Sequence, residues 1–287
     1  MVDLDPFFHK INSWSFTKHR VWNRCRRQYY FEYIAPYVKS QPVVDPEKIR
    51  WLKNFTSKFV VQGQLIHDII DKQIQLHIDN KPMNLVEAMN EFSKKVSLYK
   101  NIGGETFTEY HNGDKIPDSF YATINENGKT CLQTFFGMWL GYQNQECLRH
   151  EEFDHFKIGD VGVTVKVDFV GKMPDGTLVL TDWKTGRDDD ENETELQMAT
   201  YVLWAMQYYR KSPDEIRTEL VFLKTGETKP YAFFWEQVSE IQEMIPREFA
   251  EMNASYEYGD FPARPSQREC MSCKFAEVCT DAAIKRK

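Results

Sequence analysis

The chain has 287 residues, of which 41% are hydrophobic and 28% charged, with 14 Gly and 12 Pro. That supplies a core for one large domain and excludes disordered, collagen-like and low-complexity classes. The net charge of −7 hides an asymmetry: residues 1–60 carry 11 Lys/Arg against 5 Asp/Glu, so a locally basic surface on an acidic body can still meet a polyanion. No run approaches 18 apolar residues and Met1 to Lys18 has no signal-peptide core, so the expectation is a soluble cytoplasmic protein with no membrane partner.

In chain order, Ser15 to Tyr33 reads as a basic, aromatic helix with Ser15 as N-cap. Gln41 to Glu47, with Pro42 and Pro46, reads as a loop. Residues 61–79 place Leu65, Ile66, Ile69, Ile70 and Ile74 at a helical period, and further helices are expected at 84–100 and 128–150. The Gly- and Asn-rich stretch between those two reads as a surface excursion. The pattern then becomes strand-like at Val161 to Val170, with a turn at Met173 to Gly176 and a second strand at Thr177 to Thr181. A helix from Glu193 to Tyr209 follows, then strands at Glu219 to Leu223 and Tyr231 to Trp235 about a Thr225-Gly226 turn. A final helix over 238–254 leads to a cysteine-bearing tail. The sum is an α/β domain with a central mixed sheet.

The chemistry concentrates in VKVDFVGKMPDGTLVLTDWKTG. Asp168 interrupts an apolar strand, and Asp182 and Lys184 end the next one, two residues apart and so on one face. Closed as a hairpin, the segment brings two carboxylates together, which repel unless a cation lies between them. Hard oxygen donors suit Mg²⁺ or Mn²⁺. Lys184 beside them can orient an attacking water or stabilise charge on a phosphate. Gln197 and Tyr201, four apart on a helix, offer an amide and a phenol on one face. His67 could add an imidazole to the same cation.

Cys270-x2-Cys273-x5-Cys279 sets three thiols within ten residues, and Cys25 is the remaining candidate for a fourth. Such a loop takes either Zn²⁺ or an iron–sulfur cluster. Cys131 and Cys147, in apolar surroundings taken as helical, read as core thiols.

Gly63-x-x-x-His67, Asp168, Asp182-x-Lys184 and Gln197-x-x-x-Tyr201 resemble, in order and approximate spacing, the RecB-like branch of the PD-(D/E)XK nucleases. With the cysteines, and with Ser13-Trp-Ser15 followed by Cys25-Arg-Arg-Gln-Tyr29-Tyr30, the resemblance extends to its iron–sulfur members, the CRISPR-associated exonucleases and the AddB nuclease domain. Arg26 stands where those relatives usually have Pro, and Val165 where many have Gly. Residues 80–150 match no part of the pattern and read as a helical insertion in a single domain spanning 1–287. The resemblance implies a restriction-endonuclease-like core and metal-dependent hydrolysis of DNA, at single strands or free ends. It assigns the metal to His67, Asp168, Asp182 and the Trp183 carbonyl, action at the attacking nucleophile to Lys184, and strand guidance to Gln197 and Tyr201. It further implies a [4Fe–4S] cluster on Cys25, Cys270, Cys273 and Cys279 that joins residues 1–60 to 255–287. A CRISPR integrase or a repair helicase is the implied partner. Lys18, Arg20, Arg24, Arg26 and Arg27, interleaved with Trp14, Trp22, Tyr29 and Tyr30, are then expected to border the active site as phosphate contacts and stacking rings.

Overall fold

A computed structural model describes residues 3–39, 42–186 and 191–284. The N-terminal part runs α1 (Pro6–Ile11), β1 (Trp14–Ser15) and α2 (Phe16–Arg24). Ser15 caps α2 as expected, its hydroxyl accepting from Lys18 N. The helix does not continue to Tyr33. Cys25 is extended, with φ −160°, and separates α2 from α3 (Arg26–Tyr29), which passes into a π turn over Tyr30–Ile34. Of the expected loop, Gln41 lies outside the described residues, and the last two positions already belong to α4 (Pro46–Leu52), which Asp45 caps with Pro46 at its first position.

Three long helices follow: α5 (Lys58–Ile78), α6 (Leu85–Ile102) and, after the short α7 (Thr108–His111), α8 (Asp118–Tyr142). Two expectations fail here. Phe107, Thr108 and Glu109 are buried in the presumed surface excursion, and α8 begins ten residues early. Residues 146–150 are not helical but open β2 (Glu146–Ile158), so Cys147 lies on a strand while Cys131 is a buried helical thiol. Gly128 on α8 is a packing necessity, since a Cβ there would fall 2.0 Å from the Phe92 ring of α6.

The remaining elements are β3 (Val161–Lys172), β4 (Leu178–Lys184), α9 (Glu191–Tyr209), β5 (Ile216–Phe222), β6 (Glu227–Tyr231), α10 (Trp235–Met252) and α11 (Gln267–Met271). The final strand and helix each begin earlier than their spacing suggested, so Trp235 starts α10 instead of ending a strand. Six strands form one mixed sheet, in the order β1-β3-β4-β5-β6 with β2 on the other edge of β3. The β4–β5 pair is parallel; β2–β3, β3–β4 and β5–β6 are antiparallel. One face packs against α2, α9 and α10, and the other against α5, α6 and α8. Along β4, Leu178 and Leu180 enter the first core and Trp183 the second, as a strand buried on both faces requires. No described helix is long and apolar enough to cross a membrane.

The sheet forks at β3. One edge of this strand pairs with β1 at Val163 and Thr164 and with β4 from Phe169 to Lys172, leaving 165–168 without a strand partner on that side. The alternation also breaks there, since Val163, Val165, Val167 and then Val170 enter the same core. Directly across β2, Glu151 has φ +50°, a conformation uncommon for a residue with a Cβ. Such backbone irregularity concentrates where a site must be aimed.

Candidate active site

At the fork a cleft of about 1170 Å³ is lined by α2, α5, β2, β3, β4 and α9. Its walls follow from the apolar stripes of the elements. On α5, Leu65, Ile66, Ile69 and Ile70 face the core, which leaves Gly63 and His67 turned to the cleft. Gly63 permits close approach to the end of β4, because a Cβ there would meet Thr185 Oγ1 at 3.0 Å. The start of α5 is fixed by the buried Glu109, whose carboxylate accepts from Ser57 Oγ at 2.5 Å and Lys58 N at 2.9 Å. A negative group also favours that positive helix end.

The expected site residues come together in this cleft. Asp168 is buried, and its Oδ2 accepts from Trp183 N at 2.7 Å across the parted strands. Its Oδ1 lies 3.6 Å from His67 Nδ1. Asp182 Oδ1 accepts from Gln197 Nε2 at 3.1 Å and Tyr201 OH at 3.2 Å. Its buried Oδ2 faces the Lys184 ammonium at 2.7 Å. Lys184 also donates to Gln197 Oε1 at 3.0 Å, and Gln197 donates to Tyr201 OH at 2.7 Å. Tyr201 OH also lies 2.8 Å from the Lys166 carbonyl, in backbone that the fork leaves unpaired, so its one proton is shared between that carbonyl and Asp182 Oδ1. Gln197 and Tyr201 thus brace Asp182 and Lys184 from α9.

Glu151 belongs to the same group and was missed by the sequence reading. Its Oε1 is 2.6 Å from His67 Nδ1, and its other oxygen pairs with Lys166. His67, Glu151 and Asp168 offer donor atoms all within 4.8 Å of one another. His67 Nε2 faces the Trp183 carbonyl at 3.0 Å, so both ring nitrogens meet oxygen acceptors, the arrangement of an imidazolium. Burial pulls its pKa down, but Asp168, Glu151 and Asp182 outweigh that and hold it up at about 9. Burial lifts Asp168 to about 7 against the pull of His67, with the Asp182 and Glu151 charges adding to the rise. Burial opposes the charge on Lys184 too, but Asp182 and Asp168 keep its pKa above the ordinary value. Carboxylates crowded this closely, with an imidazole and a backbone carbonyl, are a fitting donor set for a divalent cation.

The expected stacking platform is not there. Trp14, Trp22, Tyr29 and Tyr30 are core residues: Trp22, Tyr29 and Tyr30 pack on Phe261, and Trp14 lies against His19 and donates to Glu248. Of Lys18, Arg20, Arg24, Arg26 and Arg27, only Arg20 lines the cleft, paired with Glu193 at 2.9 Å. Lys18 turns inward to the Ser13 carbonyl at 2.6 Å, and burial pulls its pKa down to about 8. Arg26 stacks over Trp22, while Arg27 is buried between the Phe261 carbonyl, Asp281 and the Tyr258 ring. Arg27 thus ties the C-terminal segment to α3.

Cys25, Cys270, Cys273 and Cys279 line a second cavity with Arg27 and Phe275, and no disulfide forms among the described residues. Backbone N–H groups of Arg264 and Ala283 point at Cys25 Sγ and Cys270 Sγ, at 3.5 and 3.4 Å. Burial, and then the neighbouring thiols, push Cys273 up to about 12. Four sulfurs at one apolar cavity, with N–H donors aimed at two of them, fit a thiolate-bound metal group.

The family model described as "PD-(D/E)XK nuclease superfamily" matches residues 13–280. No curated protein matches the chain. Among solved structures, one described as "Crystal structure of SSO0001" is similar over 57% of this chain and 73% of that one, with 15% identity and a TM-score of 0.30. A likeness that loose adds nothing to the argument.

Proposed function

The chain belongs to the PD-(D/E)XK nuclease superfamily, and from that premise we propose that it is a Mg²⁺- or Mn²⁺-dependent DNA exonuclease of the RecB-like, iron–sulfur branch, acting on single strands or free ends. The observation that carries this reading is the convergence of His67, Asp168, Asp182 and Lys184, from α5, β3 and β4, on one cleft. His67, Asp168, Asp182 and the Trp183 carbonyl would hold the ion. When bound, such an ion supplies positive charge to the phosphate and makes water a stronger nucleophile. Lys184 stabilises negative charge at the scissile phosphate, its ammonium held in place by Asp182 and Gln197. Tyr201 and Gln197 keep the Asp182 carboxylate from turning away. Glu151 holds His67 through Nδ1. Cys25, Cys270, Cys273 and Cys279 would bind a structural [4Fe–4S] cluster fastening the two ends of the chain.

The test is a single-stranded oligonucleotide labelled at either end, incubated with Mg²⁺ or Mn²⁺. Stepwise shortening is expected, abolished by EDTA, with a circular single strand resistant. A linear strand that stays intact with both metals overturns the reading.

A further inference from the structure

Two rings stand exposed on different walls of the cleft. Phe59 is 73% exposed in the first turn of α5, and Phe153 is 70% exposed on β2. Both line the cleft. Phe59, Gly63 and His67 are spaced four apart and form one row along the helix, which puts Phe59 about 12 Å along the axis from His67. Phe153 lies two residues from Glu151, about 7 Å along the strand, and pairs across the ladder with Lys166. Its ring centroid is 5.6 Å from Lys166 Nζ.

The charges around the cleft explain why rings would be needed. Arg20, Lys166, Lys184 and the His67 imidazolium are its cations among the described residues, and each faces a carboxylate: Glu193, Glu151, Asp182 and, for His67, Glu151 again. Cations neutralised in this way attract phosphates weakly, and the chain as a whole carries −7. Affinity for a strand must therefore come largely from its bases, and a base offers a π face to any aromatic ring. We propose that Phe59 and Phe153 stack on unpaired bases flanking the scissile phosphate, so that the substrate enters as a single strand and a duplex end must fray before it is cut. The proposal rests on the nuclease reading above and names how its substrate is gripped.

The experiment compares kcat and KM on dT20 with those on an abasic 20-mer of the same backbone, in Mg²⁺. Phe59→Ala and Phe153→Ala are each expected to raise KM for dT20 about tenfold, with kcat within about twofold and KM for the abasic strand unchanged. Phe59→Trp and Phe153→Trp should restore the wild-type KM. Both positions are exposed enough that the chain should fold unaltered. Alanine variants that match wild type on dT20 overturn the proposal alone. Equal losses on both strands overturn it too, because the rings would then act through the backbone. A wild-type chain that cuts neither strand with Mg²⁺ or with Mn²⁺ removes the nuclease reading and this proposal with it.

Discussion

Glu151 Oε1 lies 2.6 Å from His67 Nδ1, across 84 residues of sequence. Glu151 lies on β2 between the residues paired with Phe169 and Val167, where its φ is +50°. Through that contact Glu151 is a positioning group for the imidazole. Glu151→Gln should weaken Mn²⁺ binding by about ten- to a hundredfold, while the chain still folds. Electron paramagnetic resonance titration of free Mn²⁺ measures this. An affinity within about threefold of wild type would remove Glu151 from the site.

Lys184→Ala should reduce kcat by at least about a hundredfold and leave KM within a few-fold, because it removes charge that acts on the transition state. Gln197→Ala should cost less, since Asp182 still holds Lys184 at 2.7 Å. Single-turnover assays on end-labelled DNA give both numbers. A Gln197 variant as inactive as the Lys184 variant would mean the amide touches substrate directly.

Much of this site is legible in the sequence. Asp168 stands out because it interrupts valines, and Asp182 and Lys184 because their spacing fixes them to one face. His67, Gln197 and Tyr201 follow through the motif pattern. Glu151 is hidden for a physical reason: it lies in a polar run whose strand character comes from pairing with β3, and nothing local announces a positive φ. The same run made 143–150 look like the end of a helix. Trp14, Trp22, Tyr29 and Tyr30 misled in the opposite direction. Alternation with Lys and Arg looks like a solvated face, yet Arg26 and Arg27 lie over aromatic rings and close the core around them.

Trp22→Ala should accordingly act on stability. Trp22 is buried against Tyr29 and Phe261, and truncating such a ring costs about 3–5 kcal/mol. Urea unfolding should show that loss, while KM for single-stranded DNA at a temperature where the variant is folded stays near wild type. A raised KM with unchanged stability would return Trp22 to the strand's path.

Metal affinity should rise with pH. Without an ion, His67 is protonated below about 9 and Asp168 below about 7, and an ion must displace those protons. Between pH 7 and 9 one proton is released, so the apparent affinity climbs by up to about tenfold per unit; below 7 two are released and the climb is steeper. Calorimetry of Mn²⁺ binding in buffers of different ionisation enthalpy counts the protons directly. A release near zero at pH 7 would contradict the raised His67 pKa.

Asn112 fastens the loop that carries Cys270 and Cys273. This side chain donates to the carbonyls of Cys270, Met271 and Cys273, at 3.2, 2.8 and 3.0 Å, so the cysteine loop is fastened to α7 as well as to α2. The neighbouring Glu109 caps α5, the helix that carries His67. The anaerobically purified protein should hold about four iron and four sulfide per chain. Cys25→Ser should lose them and make 255–284 protease-sensitive, because it removes a ligand of the proposed cluster. Cys131→Ser and Cys147→Ser should keep the iron, since neither lines the cavity. Asn112→Ala should keep it too but loosen the loop, seen as faster amide exchange at Cys270 to Cys273. One zinc and no iron would make the staple a zinc site and leave the cleft chemistry intact. Iron lost from Cys131→Ser but retained in Cys25→Ser would break the link between the chain ends.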